Sequence, residues 1–278
     1  MNALDDKTRT LERLSRLAQS DLVPEKAKAQ RIGRRERLVA PILVGNFGPV
    51  SADKRLVLND LLGAEVVPLE SPAGTLEVVA GDAPHSTLRL ADGSFDETQS
   101  YPTPSFLSQP ATFASIASPS CRLLDWEFLL FDQNDRAQQM REDLEWAAPR
   151  VDLAIWCTRE WTELESAVWT AAPERIRDHS ILHVHGVTGD REISAEGFAA
   201  TVFEGGSLET SGGPSLDLKG QIKATIAEAR EHDLLSAELF LSRYDEALDD
   251  RAAAPRKNTA TSKHKVAQPG DASGELGA

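Results

Sequence analysis

The chain has 278 residues and a net charge of −14, with 44 acidic and 30 basic side chains. This length can bury one sizeable core, and the acidic balance argues against nucleic acid as a main partner. The sequence has no run of about 18 apolar residues, no apolar leader at its N-terminus, and only Cys121 and Cys157 as cysteines, so we expect a cytoplasmic protein without a transmembrane segment or a disulfide framework.

Charge is unevenly distributed along the chain. Residues 1–37 carry ten Lys/Arg against six Asp/Glu, and residues 250–278 carry five against three. Residues 38–249 carry fifteen against thirty-five, and such an acidic body repels a free nucleotide triphosphate at long range. Peripheral contact of the basic N-terminal arm with anionic lipid or an acidic partner is one interpretation. Docking of the arm on the acidic body is the favoured one.

The chain begins with predicted helices. Residues 4–38 are predicted to form one or two helices, with Leu11, Leu14 and Leu17 on one face and a break near Pro24. Residues 1–37 are therefore interpreted as a helical arm.

Apolar runs then alternate with helical patterns, which is typical of an α/β domain with crossover helices. The domain is predicted to span residues 38–213. Four strands are expected to lie side by side in its sheet, at residues 41–47, 127–131, 151–158 and 180–185.

Three further segments complete the predicted organisation. Residues 98–120, rich in Ser, Pro and Thr, predict a long loop. Residues 214–249 predict a C-terminal helix, which we expect to pack with the N-terminal arm because neither can fold alone. Residues 250–278, rich in Ala, Pro, Ser and Gly, predict a disordered tail.

The most informative segment follows the first strand. It approximates the phosphate-loop pattern G-x-x-x-x-G-K-[ST], with Gly48 as the first glycine and Lys54 as the lysine. Asp53 replaces the second glycine and adds a carboxylate beside the position of a polyanion. Arg55 replaces the hydroxyl residue that would bind Mg²⁺. An ordinary strand–turn–helix, with Asp53 as the N-cap, is the alternative interpretation.

The run DKRLVLNDLLG at residues 53–63 resembles the GKSTLLNALLG run of dynamin-like large GTPases. Ser51 and Ala52 match the same family's loop, and Thr75 lies where the second threonine of its first switch would fall. The resemblance implies a P-loop GTPase-like, three-layer α/β sandwich with flanking N- and C-terminal helices.

Two later positions of the family's chemistry are altered. Asp132 matches the aspartate of the D-T-P-G motif, but Asp135 stands at its glycine and would direct a carboxylate at the γ-phosphate position. Residues 185–188, HGVT, stand where the guanine-reading N-K-x-D motif is expected and lack its Lys and Asp. Lys54 would then be a relic, or it would pair with Asp53 or Asp132.

His183 and His185 alternate on a predicted strand and therefore face the same side. A metal site is one interpretation, but two histidines underdetermine it, so packed or hydrogen-bonded histidines are favoured and no metal is expected. Core and interdomain packing is the favoured role of the five tryptophans, Trp126, Trp146, Trp156, Trp161 and Trp169.

These changes favour a pseudo-GTPase, a degenerate G domain that acts as an interaction or regulatory module. No catalytic residue and no cofactor are expected, and the partner is expected to be a protein, with an intact GTPase as one candidate. The alternative is a weak or non-standard nucleotide binder, under which GTP and Mg²⁺ would bind. A membrane-remodelling GTPase is the weakest interpretation, because only about one helix follows the domain. The vestigial nucleotide-binding residues would be Gly48, Ser51, Asp53, Lys54, Arg55, Thr75 and Asp132.

Overall fold

A computed structural model of the chain describes residues 3–20, 23–70, 74–132, 135–185, 197–203 and 217–245. Its centre is a nine-stranded mixed sheet. The strands are β1 (Ile42–Phe47), β2 (Thr75–Ala80), β3 (His85–Leu90), β4 (Phe95–Thr98), β5 (Ala111–Ser118), β6 (Trp126–Phe131), β7 (Leu153–Thr158), β8 (Ser180–Val184) and β9 (Ala200–Phe203).

The helices lie on both faces of the sheet, and three of them share a separate apolar cluster. They are α1 (Ala3–Gln19), α2 (Glu25–Val39), α3 (Lys54–Leu62), α4 (Pro104–Leu107), α5 (Pro119–Leu124), α6 (Ala137–Ala147), α7 (Glu163–Thr170), α8 (Glu174–Asp178) and α9 (Leu218–Ser242). A 3₁₀ turn at Val50–Ala52 precedes α3. Among the described residues, no helix combines the length and the hydropathy needed to cross a lipid bilayer.

The strand order is β4-β3-β5-β2-β6-β1-β7-β8-β9. Parallel pairing joins β6, β1, β7, β8 and β9 in that order. The four predicted strands therefore lie side by side, and that prediction is confirmed. They are almost fully buried, as expected for parallel strands covered on both faces. The other half of the sheet is mixed, because β2 pairs antiparallel with β6 and parallel with β5.

Each face of the sheet carries its own apolar core, which confirms the three-layer α/β fold. On one face α3 packs through Leu58 against Val44, and Ile222 of α9 joins the same core. On the other face Trp156 and Trp169 pack edge to face, with ring centroids 5.6 Å apart. The tryptophans Trp126, Trp156 and Trp169 are buried, whereas Trp146 is partly exposed.

The helices at the two ends of the described chain form a third apolar cluster. Leu14 and Leu17 of α1 pack with Leu38 of α2 and with Phe240 and Leu241 of α9. Contact between the N-terminal arm and the C-terminal helix is thus confirmed, as is the break near Pro24, the residue before α2.

The three helices α1, α2 and α9 form a bundle, and α9 connects this bundle to the rest of the fold through hydrogen bonds. The Arg230 guanidinium donates hydrogen bonds to the carbonyls of Arg37 and Ala40, just before β1. Lys219 Nζ donates to the carbonyl of Leu61 at the end of α3, 3.3 Å away. These contacts therefore hold α9 at its N-terminal end and at its middle.

The prediction of a long loop at residues 98–120 is wrong. Thr103 caps α4, and residues 111–118 form β5, which pairs with both β2 and β3. Its sequence, ATFASIAS, alternates between the two faces of the sheet, but its small residues hide the pattern. Hydrogen bonding of β5 to β2 and β3 stabilises the strand, although its sequence has little intrinsic strand preference. The predicted tail at residues 250–278 and the segment 204–213 lie outside the described residues.

Candidate functional site

The candidate site lies at the carboxyl ends of the parallel strands, where the loop after β1 meets the residues that follow β6 and β7. Gly48 opens the loop with a φ of +117°, and a Cβ atom there would lie 2.0 Å from the carbonyl oxygen of Cys157. Only glycine permits this backbone and this close approach. Gly48 and Asp132 share the edge, as predicted, whereas Gly186 lies outside the described residues.

Asp53 keeps a glycine-like backbone at the position of the missing second glycine. Its φ of 47° and ψ of 34° are left-handed, a conformation that non-glycine residues adopt at a cost. The side chain makes no capping hydrogen bond, so Asp53 begins α3 without the N-cap contact of the alternative interpretation. It forms an exposed ion pair with Arg159 instead. The loop therefore retains its turn although the residue has changed.

Lys54 is turned inward and held by the chain itself. Its side chain is 1% exposed, and Nζ donates to the carbonyls of Gly48 and Pro49 at 2.7 and 2.6 Å. Nζ lies 3.6 Å from Asp132 Oδ1, so the expected pairing forms with Asp132 and not with Asp53. Burial lowers the pKa of Lys54, while the neighbouring Asp132 carboxylate opposes that shift.

Arg55 is also buried, and it points away from the loop. Its Nε lies 2.6 Å from Asp132 Oδ2, and Nη1 donates to the carbonyls of Pro68 and Leu69. Asp132 therefore forms ion pairs with two buried cations. The resemblance to GTPases predicts a Mg²⁺-binding carboxylate at this position. Arg55 therefore links α3 by hydrogen bonds to residues 68–69, which follow the helix.

The Asp135 carboxylate accepts a hydrogen bond from a backbone N–H group of the loop. Its Oδ1 accepts from the backbone N–H of Val50 at 2.7 Å. Backbone N–H groups of a phosphate loop are the donors that hold a phosphate oxygen. Here one of them binds a carboxylate of the same chain, supplied by the residue that replaces the glycine of the second motif.

The other predicted residues lie around this centre. Ser51 is exposed within the 3₁₀ turn, and Thr75 begins β2 opposite Phe131, the residue before Asp132. The matching asparagine of the family-like run, Asn59, has a structural role. Its side-chain amide hydrogen-bonds to the backbone N–H groups of Val66 and Val67 and to the carbonyl of Val67.

Buried polar side chains lie next to the loop, at the carboxyl ends of β1, β7 and β8. Cys157 Sγ donates to Asn46 Oδ1 at 3.1 Å, and the Asn46 amide donates to the carbonyl of Lys54. The rings of His183 and His185 meet edge to face, with centroids 4.3 Å apart. Burial lowers the pKa of His183 to about 3, with a smaller contribution from His185, so His183 is neutral at physiological pH. No local pattern predicts the contacts of Asn46, Cys157 and Arg159, which lie near or directly after the carboxyl ends of β1 and β7.

Comparison with known proteins places the fold. No family model matches the chain, and no curated protein matches it. A solved chain from an oligomerised bacterial dynamin pair, associated with long-range sensing and tethering of membranes, aligns with a TM-score of 0.54 and 12% identity. The alignment covers 88% of this chain and 54% of the other, so this chain spans about half of that protein's length.

Two further structures align less well. Another chain from an oligomerised bacterial dynamin pair gives a TM-score of 0.48 at 14% identity, covering 77% of this chain and 38% of that one. A dimerisation-deficient mutant of Toc33 from Arabidopsis thaliana gives 0.27 at 14% identity, covering 88% and 75%. The assignment therefore rests on the first alignment together with the sheet described above. The chain has the fold of a dynamin-like G domain with flanking helices.

Proposed function

We propose that this chain is a pseudo-GTPase, a G domain that serves as a protein interaction or regulatory module without GTP turnover. The observation that carries the proposal is the hydrogen bond between Asp135 and the Val50 N–H. A carboxylate bound there competes with a phosphate oxygen for the same donor and repels the phosphate charge.

The cations of the site support the same proposal. Lys54 donates to two loop carbonyls, and Arg55 is paired with Asp132 and two further carbonyls. A nucleotide would have to break these contacts before either cation could bind it. Both cations and one backbone donor of the loop are thus bound by groups of the chain itself.

A weak nucleotide binder is the second candidate. The observation that favours it is the retained loop backbone, with left-handed turns at Gly48 and Asp53. If this backbone can bind phosphate, removal of the Asp135 carboxylate should restore part of the affinity. A double reversion of Asp53→Gly with Arg55→Ser tests the loop less well, because Arg55 also holds the carbonyls of Pro68 and Leu69.

The test is the Asp135→Ala variant, with Asp60→Ala as the control. Asp60 is exposed on α3, so its removal changes the net charge equally without touching the loop. Titration calorimetry with GTP·Mg²⁺ and with inorganic triphosphate should show an affinity gain of about 10- to 150-fold for Asp135→Ala, the value of one hydrogen bond to a charged group. An equal response of both variants would count against the proposed role of Asp135.

The partner is proposed to be a protein, with an intact GTPase of the same fold as the first candidate. The aligned bacterial dynamin belongs to a pair that oligomerises, which supports a partner of that kind. The experiment is to mix the purified chain with an intact GTPase from the same organism, and to follow complex mass by light scattering and GTP turnover by phosphate release. A complex with altered turnover is expected. Two separate species with unchanged turnover for every such GTPase would contradict the interaction role.

A further inference from the structure

Three buried side chains with metal-binding atoms converge at the carboxyl ends of β7 and β8. Cys157 is the register partner of His183 on the neighbouring parallel strand, so both side chains leave the sheet on the same face. His185 follows two positions later, and its backbone N–H is held by the carbonyl of Thr158. One ligand atom from each of Cys157, His183 and His185 lies within 4.8 Å of the other two.

The surroundings of this cysteine–histidine cluster favour a bound ion. Cys157, His183 and His185 are 0%, 4% and 7% exposed. The His183 Nδ1 atom is buried and has no hydrogen-bond partner among the described residues. A buried ring nitrogen without a partner is unfavourable, and coordination to a cation would satisfy it.

Neighbouring groups fix the cluster and supply an outer layer of contacts. Asn46 bonds to both Cys157 and the carbonyl of Lys54, which holds the thiol in place. Two of the ligands stand on strands and the third is anchored directly after one, and such positions are more precise than loop positions.

We propose that Cys157, His183 and His185 bind a borderline-soft divalent cation, with Zn²⁺ as the first candidate and water as the fourth ligand. One thiolate and two imidazoles suit Zn²⁺, whereas Mg²⁺ and Ca²⁺ require oxygen ligands that the three residues do not supply. On binding, the Cys157 S–H bond breaks together with its hydrogen bond to Asn46 Oδ1, the proton passes to solvent, and a sulfur–metal bond forms. Tetrahedral Zn²⁺ ligands stand about 3.5 Å apart, so ligand atoms that lie within 4.8 Å of one another need to approach by no more than about 1.3 Å.

This site differs from the Mg²⁺ position of a GTPase. That position would involve Asp132, which is paired here with Lys54 and Arg55. The sequence favoured packed histidines because two histidines alone do not make a site. The third ligand, Cys157, comes from the neighbouring strand, 26 positions before His183. Cation binding is therefore expected to be independent of any nucleotide.

The test uses Co²⁺ as a spectroscopic probe on the full chain after dialysis against a chelator. We expect one Co²⁺ per chain, with a thiolate-to-cobalt charge-transfer band and intense tetrahedral d–d bands that Zn²⁺ removes by displacement. Cys157→Ser should abolish the charge-transfer band and weaken binding by more than about 100-fold, because even outer contacts are worth about 10- to 100-fold.

The control is Cys121→Ser, which removes the other cysteine. Cys121 is equally buried but lies on α5, where its thiol contacts the carbonyl of Val78. This variant should keep the Co²⁺ spectrum of the natural chain. Zn²⁺ should also raise the Tm of the natural chain and of Cys121→Ser, but not that of His183→Gln, with folding of each variant checked by circular dichroism.

The possible outcomes separate clearly. Stoichiometric Co²⁺ binding that depends on Cys157 and His183 supports the site. The absence of binding by the folded natural chain would overturn it, as would a charge-transfer band that survives in Cys157→Ser or disappears in a folded Cys121→Ser.

Discussion

The Asp132→Asn variant should destabilise the protein far more than the chemically identical change at Asp53. Asp132 carries two buried cations, Lys54 with a side chain 1% exposed and Arg55 with one 7% exposed. Asparagine keeps an acceptor but removes the charge that compensates both. Breaking a buried ion pair by removing one partner costs about 3–5 kcal/mol.

Asp53→Asn is the matched control, because it changes the net charge equally and asparagine tolerates the left-handed backbone. The Asp53–Arg159 pair is 42% and 61% exposed, and exposed pairs contribute about 0–1 kcal/mol. For a chain of this size 1 kcal/mol shifts Tm by about 2–4 °C. Asp132→Asn should therefore lower Tm by about 6–20 °C, and Asp53→Asn by less than about 4 °C.

Thermal melts followed by circular dichroism, together with urea titrations, measure both variants under the same conditions. Equal shifts for the two variants would refute the reasoning, since the buried cations would then not depend on Asp132. An Asp132 that served only as a metal ligand in an open site would also give a small shift. A large difference between the variants supports a site that is satisfied internally.

Three further outcomes are expected. Gly48→Ala should lower stability by at least about 3 kcal/mol in urea titrations, since its Cβ would lie 2.0 Å from a backbone carbonyl oxygen, and an unchanged midpoint would contradict this close approach. Asn59→Ala should cost about 2–4 kcal/mol in the same assay, because it leaves two backbone N–H groups and a carbonyl unpaired, and a loss below about 1 kcal/mol would count against that role. Glu77→Gln should raise Tm at pH 7 but not below about pH 4, because burial, and then Glu127, raise the pKa of the Glu77 carboxyl, so its charged form destabilises the fold only above the unfolded pKa. An equal change of Tm at both pH values would contradict the last assignment.

The parallel half of the sheet could be predicted from the sequence, and the mixed half could not. β1, β6, β7 and β8 are buried on both faces, so their sequences are continuous apolar runs. β5 was mistaken for a loop because its Ala and Ser side chains carry little hydrophobic signal. Its place between β3 and β2 is fixed by pairing with strands distant in the chain.

The candidate site divides in the same way. The positions of Gly48 and Lys54 could be predicted from one short motif, because both residues belong to a single continuous turn that runs from the end of β1 to the first residue of α3. The Asp135–Val50 and Arg159–Asp53 contacts join residues 85 and 106 positions apart, which no local pattern encodes. The sequence predicts a carboxylate at Asp135 near the phosphate position, but it does not predict that the backbone N–H of Val50 donates to this carboxylate.

Titration calorimetry of the natural chain with GTP, GDP and ATP, with and without Mg²⁺, tests the central claim most directly. Each lost contact to a charged group is worth about 1.5–3 kcal/mol, so three losses weaken binding by about a thousandfold or more. The account predicts no binding in the micromolar range and no GTP hydrolysis above background. Micromolar, Mg²⁺-dependent binding of GTP that a folded Lys54→Met variant loses would contradict the pseudo-GTPase proposal and favour the nucleotide binder.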